Sequence, residues 1–404
     1  MILIKICLIL SESFSKDAPS RPAVIEIYGN CLPARGHKII WVAPSKENKN
    51  NIIEDIYLGV KIFTVSYPFV PNFPLRILKY IIYIYNKFRI ISKILNDDSF
   101  DIIQTRNSVL DSMMAVYFKN KYKIKFVFQY SFPKESYKYS TKKLDFFSGK
   151  IQHRFMKYVL NKADLILPIS KWMEIKLLKE GFPKSKMMPL PMGINSSWSN
   201  CQNEEHKLEE KYRLGNSKVI LYVGTLHELR MLDMIIEAFS IVKNIGYDVK
   251  LLIVGDGNDK LHLQQLSESL GHSENVIFAG KVPYSNMPKI LKIAAIALCP
   301  VPPLDIYLIS SPTKLFEYMI MGIPIVANEE IPEQREVVEE SCCGALAKFN
   351  AESFASKIIE LLNNPVKATD MGINGQKWVL RNRSYECMAI QVEKRYFELL
   401  KIRE

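Results

Sequence analysis

Short, uninterrupted apolar runs separated by helix-length stretches constrain this chain more than any other feature. ILIKICLI opens the chain. KIIWVA (Lys38 to Ala43), FDIIQT (Phe100 to Thr105), KFVFQY (Lys125 to Tyr130) and ADLILPIS (Ala163 to Ser170) follow. Strict alternation would mark strands with one wet face. Continuous runs mark strands covered on both faces, which implies a parallel sheet with helices on either side. A helix is expected over Pro22 to Ala34. The polar stretch from Asn195 to Asn216, with Ser196, Ser197, Ser199, Asn200 and Asn203, interrupts the pattern and reads as a linker. The pattern restarts with KVILYVG (Lys218 to Gly224), VKLLIVGDG (Val249 to Gly257), NVIFAG (Asn275 to Gly280), AAIALCP (Ala294 to Pro300) and PIVA (Pro324 to Ala327). Helices are expected from Leu232 to Ile245 and from Ser311 to Met321. The fold class is α/β, with two doubly wound Rossmann-like domains facing a central cleft. The first spans 1–195 and the second 196–385, and an amphipathic last helix, about 386–404, packs back on the first. A chain of 404 residues suits two cores of this size. Ligands of such sheets sit at the carboxyl ends of the strands.

The opening MILIKICLIL lacks a basic segment ahead of its apolar run, lacks a small-x-small cleavage pattern and is broken by Lys5. It reads as a buried first strand, not a secretory signal. No run approaches the length of a membrane span. Seven cysteines without a CxxC pair argue against a disulfide framework or a cysteine zinc site, and suggest a reducing, cytoplasmic setting.

Charge divides the chain unevenly. Residues 1–195 hold 31 Lys and Arg against 15 acids, a net of +16, and the remainder nets −4. Residues 57–96 carry six basic side chains and no acid. Among them, PLRILKYIIYIYNKFRIISKIL (Pro74 to Leu95) mixes apolar residues with Arg76, Lys79, Lys87, Arg89 and Lys93. Further lysines cluster at 119, 121, 123, 125, 138, 142 and 143. A basic first half points to an anionic partner, and the tyrosine- and isoleucine-rich mix favours an anionic membrane surface. An ordinary core helix with a solvated basic face fits the same segment. No nucleic-acid-binding motif is present, so nucleic acid is not an expected partner.

The densest local constellation is SSPTKLFEYMIMGIPIVA, residues 310–327. Ser311 is a natural N-cap and Pro312 suits the first helical position. Lys314 sits in the first turn, against the preference of the helix dipole, which implies an anion nearby. Glu317, three residues on, shares its side of the helix and could accept from paired ribose hydroxyls. Gly322 and Pro324 end the helix. A capped crossover helix with a Lys314–Glu317 surface pair fits the same residues.

With PEQREVVEE (Pro332 to Glu340), this constellation resembles the donor-binding signature of retaining glycosyltransferases of family 4, which have the GT-B fold. Supporting matches run in the family's order: RGH (Arg35 to His37), ADLILPIS, PLPMGIN (Pro189 to Asn195), LYVGTL (Leu221 to Leu226), LLIVGDG (Leu251 to Gly257) and VIFAGKVP (Val276 to Pro283). The resemblance implies a nucleotide-diphosphate sugar as donor and no metal or other cofactor. It implies that Glu317 holds the ribose, that Leu315 and Phe316 lie in the turn whose amides meet the diphosphate, and that Gly224 and Thr225 lie beneath it. Arg230 matches the cation that neutralises the diphosphate, and Val282 falls in the strip that touches the base. Fixed cations would then stabilise charge developing on the leaving group.

Two positions depart from the family. The glutamate often found eight residues before Glu317 is Ile309, and the arginine often following the first-turn glycine is Thr225. Lys314 is therefore the expected replacement cation, catalytic together with Arg230. On the acceptor side, SESFSKDAPSRP (Ser11 to Pro22) replaces the usual glycine-rich loop and leaves Arg21 to contact a phosphate. Gln129, Tyr130 and Ser131 occupy the region of the family's active-site histidine. His37 and His153 read as structural.

The expected activity is retaining transfer of a sugar to a lipid-linked or cell-surface glycan precursor, such as a polyprenyl-phosphate-linked one, by a protein resting on the inner face of the membrane. Two alternatives remain at this level: a nucleotide-sugar-binding scaffold without turnover, kept open by Ile309 and Thr225, and a nucleotide-sugar 2-epimerase of the same fold.

Overall fold

The computed structural model describes residues 3–14, 22–45, 52–67, 73–131, 143–201 and 205–402. The chain forms two compact units, one of residues 1–191 with 385–404 and one of residues 192–384.

In the first unit, β1 (Lys5–Ile9), β2 (Lys38–Ser45), β3 (Ile52–Tyr57), β4 (Val60–Ser66), β5 (Ile102–Arg106), β6 (Lys125–Tyr130) and β7 (Leu165–Pro168) form one sheet in the order β3-β4-β2-β1-β5-β6-β7. The pairings are parallel except β3 with β4. That edge hairpin turns through Leu58 and Gly59, both at positive φ (52° and 80°), as a two-residue hairpin loop requires. Its strand β3 alternates half-buried and exposed residues, so it carries no continuous apolar run to announce it.

The helical stretch from Pro22 to Ala34 forms as expected, with a π-helical segment over Glu26–Cys31. The last helix, Tyr385–Leu400, belongs to this unit. Its Glu393 pairs with Arg35 and with His37, whose Nε2 lies 2.7 Å away. His37 Nδ1 accepts the Ile4 amide at 3.2 Å, so RGH fastens the first strand to the last helix.

A 25-residue helix, Phe73–Asp97, covers the basic segment. It buries Tyr83, Ile90, Ile91, Ile94 and Leu95. Lys87, grouped with the surface charges of this helix by its sequence, is 1% exposed. Its ammonium donates to the Leu10 carbonyl at 2.9 Å and pairs with Asp111 at 2.7 Å. A buried ammonium needs such partners, because desolvation of a lone charge is far costlier.

In the second unit, β8 (Lys218–Val223), β9 (Val249–Val254), β10 (Val276–Gly280), β11 (Ile296–Cys299), β12 (Ile325–Asn328) and β13 (Gly344–Ala347) form a parallel sheet ordered β10-β9-β8-β11-β12-β13. The polar stretch from Asn195 is not a free linker. Trp198, Tyr212 and Leu214 enter this unit's core beside Ile194. Enough apolar residues are interspersed with the serines and asparagines to anchor it. The chain therefore passes between units at Pro191/Met192 and at Ser384/Tyr385.

Lys87→Met would strand Asp111 without its cation and release the end of β1. The expected loss is about 3 kcal/mol, read as roughly 100-fold faster amide hydrogen exchange in β1 and β5. A Lys87→Met/Asp111→Leu double variant should regain most of that protection.

Candidate active site

The second unit's strand order reverses at β8 and β11, and the loop leaving β8 opens the site. Gly224 donates to the Val254 carbonyl at 2.9 Å, and Gly255 to the Gly280 carbonyl at 3.0 Å. The turns after β8 and β9 run in backbone contact. A Cβ built on Gly255 would lie 1.8 Å from the Gly224 carbonyl oxygen, and one on Gly257 1.8 Å from that of Leu226. Only glycine fits this approach.

The Thr313–Ile320 helix faces the same place. The Tyr318 hydroxyl accepts the Val223 amide at 2.9 Å, which pins the helix to the end of β8. A Schellman pair closes it: Gly322 donates to Met319 and Ile323 to Tyr318, with Gly322 at φ +70°. Its N-terminus is built differently from expectation. Pro312 occupies the N-cap position without a side-chain bond, and Thr313 is the first helical residue. Ser311 is not the cap. Its buried hydroxyl donates to Glu333 at 2.9 Å and accepts the Met192 amide at 3.0 Å. Leu315 donates to Pro312 at 3.2 Å, which leaves Thr313 and Lys314 as the amides of the first turn without an intrahelical acceptor by helix geometry. The side chains of Leu315 and Phe316 are wholly buried in the core.

Two cations rest on aromatic rings in this unit, and one of them stands beside Gly224. Lys314 Nζ stands 4.0 Å above the Tyr222 ring, and a Cβ built on Gly224 would come within 3.0 Å of it. Arg230, in the Glu228–Arg230 turn, lies 4.8 Å from the Tyr307 ring. Among the described residues neither forms an ion pair, and aromatic faces hold both half-buried charges in place. Cys299, whose thiol burial pushes up to about 12, lies within electrostatic reach of Lys314, Arg230 and Glu317 together. The three charges therefore converge on the end of β11.

Glu317 is the costly member. Burial raises its carboxyl to about 7, opposed by the Lys314 charge and a hydrogen bond from Tyr284. Thr225 is exposed, and Ile309 ends a short helical turn, Asp305–Leu308. Val282 is half-buried on the strip that follows Gly280, next to the Gly255 turn. Among the described residues no three His, Cys, Asp or Glu side chains converge as a metal site.

In the first unit, Arg21, Lys138 and Lys142 fall outside the described residues, as does most of the replaced loop. Gln129 and Tyr130 are buried at the end of β6, and Ser131 follows. The structure adds partners that no motif had signalled. Arg106 Nη1 pairs with Glu12 at 2.7 Å, and Arg106 Nε donates to the Ser131 hydroxyl at 3.2 Å. Asn107, at φ +54°, accepts the Ser131 amide at 2.8 Å. Glu333 was missed likewise: it lies inside PEQREVVEE, but only the fold brings it to Ser311.

Two family models cover most of the chain. "Glycosyltransferase Family 4" matches residues 24–198, and "Glycosyl transferases group 1" matches residues 204–378.

The chain belongs to glycosyltransferase family 4.

Among similar proteins, a GDP-mannose-dependent alpha-(1-6)-phosphatidylinositol monomannoside mannosyltransferase of Mycolicibacterium smegmatis is 23% identical over 56% of this chain and 60% of the relative. The capsular polysaccharide biosynthesis glycosyltransferase CapM of Staphylococcus aureus is 25% identical over 61% of this chain and 66% of the relative. The matches thus span roughly half to two thirds of the curated relatives. The family 4 chain also has the fold of sucrose-phosphate synthase from Thermosynechococcus elongatus, with a TM-score of 0.75, 17% identity and coverage of 99% and 100% of the two chains. Anabaena Alr3699/HepE in complex with UDP-glucose matches with a TM-score of 0.71 and 14% identity, over 96% and 98%. Both domains are thus of the GT-B type.

Because the folded chain holds the Glu317 proton more tightly than the unfolded chain, stability falls as pH rises from about 4.5 through about 7, where the buried carboxylate must ionise. Glu317→Gln removes that cost. The variant should be more stable than wild type at alkaline pH, by on the order of 2–3 kcal/mol, with the gap closing below about pH 4.5. Denaturant titrations at several pH values measure it.

Proposed function

We propose that this protein moves a sugar from a nucleoside-diphosphate sugar to a lipid-linked or cell-surface glycan precursor, with retention of anomeric configuration. One observation carries the reading. Lys314, half-buried in the first turn of a helix beside Gly224, and Arg230, half-buried on the Tyr307 ring, form no ion pair among the described residues, and the Lys314 charge acts on a buried Glu317. Cations and amides suit a diphosphate, and a carboxylate suits the two hydroxyls of a ribose. HepE has been seen with UDP and with UDP-glucose, and the mycobacterial relative uses GDP-mannose, which supports a donor of this class.

The chemistry needs little else. As the bond from the anomeric carbon to the diphosphate oxygen breaks, charge grows on the leaving group, and Lys314 and Arg230 stabilise it without a metal. The acceptor oxygen bonds to the same face of the anomeric carbon. Its proton passes to the departing phosphate oxygen. No protein nucleophile is required. Lys314 supplies the cation that Thr225 cannot.

The membrane part rests on the Phe73–Asp97 helix. Ile77, Leu78, Ile81, Ile82 and Tyr85 are exposed on it, between 48% and 63%, with Arg89 and Lys93 exposed nearby. Among the described residues no helix is long and apolar enough to cross a membrane, so an apolar face with flanking cations suits lying on an anionic surface.

Calorimetric titration of UDP, GDP, ADP and CMP should find one diphosphate that binds tightly. Its affinity should fall at least tenfold in both Glu317→Ala and Lys314→Ala. Binding of none would favour a scaffold without turnover, with Ile309 and Thr225 as its marks. A free nucleotide sugar epimerised without release of diphosphate would favour the 2-epimerase.

Sedimentation with phosphatidylglycerol vesicles should bring the protein down, and phosphatidylcholine vesicles should not. Ile81→Glu/Tyr85→Glu should abolish the difference. Equal recovery of wild type and variant would remove the membrane from the proposal.

A further inference from the structure

The first unit has its own switch point. Its strand order reverses at β1 and β5, so a ligand of this sheet belongs at the ends of those two strands. A polar cluster occupies that position. Ser11 and Glu12 follow β1, Arg106 ends β5, and Gln129 and Ser131 come from the end of β6 and just beyond it. The Ser11 hydroxyl donates to the Arg106 carbonyl at 3.3 Å, and Glu12 holds the Arg106 guanidinium. Lys87 fixes the start of this turn through the Leu10 carbonyl.

Two features of the cluster identify what it can recognise. First, its cations are spent. The Arg106 side chain is 6% exposed and paired with Glu12, and the Lys87 side chain is 1% exposed and paired with Asp111. This contrasts with Lys314 and Arg230 on the other unit, which form no ion pair among the described residues. A phosphate would find no free charge among these described groups. Second, hydrogen-bond acceptors are left over. Glu12 keeps a side chain that is 27% exposed, with one oxygen on Arg106 and the other only 3.4 Å from the Ser11 hydroxyl. Gln129 is 5% exposed, and its side-chain oxygen is buried without a hydrogen bond. A buried amide oxygen without a donor costs free energy that a ligand hydroxyl would recover. Spare acceptors beside neutralised cations complement a molecule with many hydroxyls and no charge.

We propose that the Glu12–Arg106 pair, with Gln129, binds the hydroxyls of a neutral sugar at the growing end of the acceptor, so that this enzyme extends a glycan instead of glycosylating a lipid phosphate. The proposal rests on the transferase reading above and narrows its acceptor. Glu12 accepts from the acceptor hydroxyl, and Arg106 positions Glu12. The proposal also places the reaction in a sequence. An earlier glycosyl transfer must already have put a first sugar on the carrier, and the product is a chain longer by one residue.

Saturation-transfer NMR can test this with methyl α-mannoside, methyl β-glucoside, methyl β-galactoside and methyl N-acetyl-β-glucosaminide set against farnesyl phosphate. Wild type should bind at least one glycoside and bind farnesyl phosphate weakly or not at all. Glu12→Ala should weaken the glycoside at least tenfold. By freeing Arg106, it should also create binding of farnesyl phosphate and of inorganic phosphate. Nucleotide affinity, a property of the second unit, should stay unchanged in the variant. That gain of anion binding separates loss of a recognition group from simple damage, and unchanged hydrogen exchange in β1 confirms the fold. Wild type binding no glycoside, Glu12→Ala retaining wild-type glycoside affinity, or farnesyl phosphate bound tightly by wild type would each overturn the proposal. Glycoside binding in a protein that binds no nucleotide would leave this site standing and sink the transferase reading instead.

Discussion

A parallel strand covered on both faces can meet a ligand at only one place, its carboxyl end. There the hydrogen-bond ladder stops and the chain turns away. This constraint organises everything else in the two units. In the second, the turns after β8 and β9 approach so closely that Gly255 and Gly257 cannot carry a Cβ. Tyr318 ties the helix bearing Lys314 and Glu317 to the same spot. In the first, Lys87 is taken out of water to hold the end of β1, with Asp111 making the burial tolerable. Each sheet spends stability at its switch point. A buried Glu317 carboxyl and a buried lysine would be poor choices for stability alone.

Much of this was legible in the sequence. Apolar runs gave the strands of both sheets, except the β3–β4 hairpin and β13. Two of these exceptions, β3 and β13, have a common cause. β3 is a half-exposed edge, and β13 is four residues with alternating burial, so neither needs a continuous apolar run. The polar stretch after Asn195 misled for the opposite reason. Its serines and asparagines dominate the composition, while Trp198, Tyr212 and Leu214, spaced widely, do the anchoring. The residues of the 310–327 constellation were visible because they are packed into one contiguous motif: capping geometry, a misplaced lysine and a carboxylate one turn on. Ser311 shows the limit of such local logic. A serine before a proline is the natural cap on sequence alone, but its hydroxyl is committed to Glu333, a partner 22 residues away that only the fold supplies.

The Glu12–Arg106 cluster was illegible for a related reason. Arg106 and Glu12 are 94 residues apart and meet only because β1 and β5 are neighbours in the sheet. No local pattern marks either. The charge count was misleading as well, since it gave the first half a surplus of cations without saying which were already neutralised. Lys87 was counted among the surface charges, and it is one of the most buried side chains in the unit.

Pairing, more than net charge, therefore separates the two switch points. The basic unit closes its strand ends with ion pairs, Lys87–Asp111 and Arg106–Glu12. The second, net acidic by sequence, leaves Lys314 and Arg230 on aromatic rings, with no ion pair to either among the described residues. An aromatic face is a weaker partner than a carboxylate, and it leaves the cation's outward hemisphere available. On the proposed reading, a diphosphate arriving there would meet two cations held by aromatic faces and not by ion pairs. A neutral polyol at the other switch point needs the reverse: charges that cancel each other but still present directed oxygens. On the proposed reading, the same fold would supply an anion site and a hydroxyl site, according to whether an acid in a neighbouring strand-end turn reaches the cation.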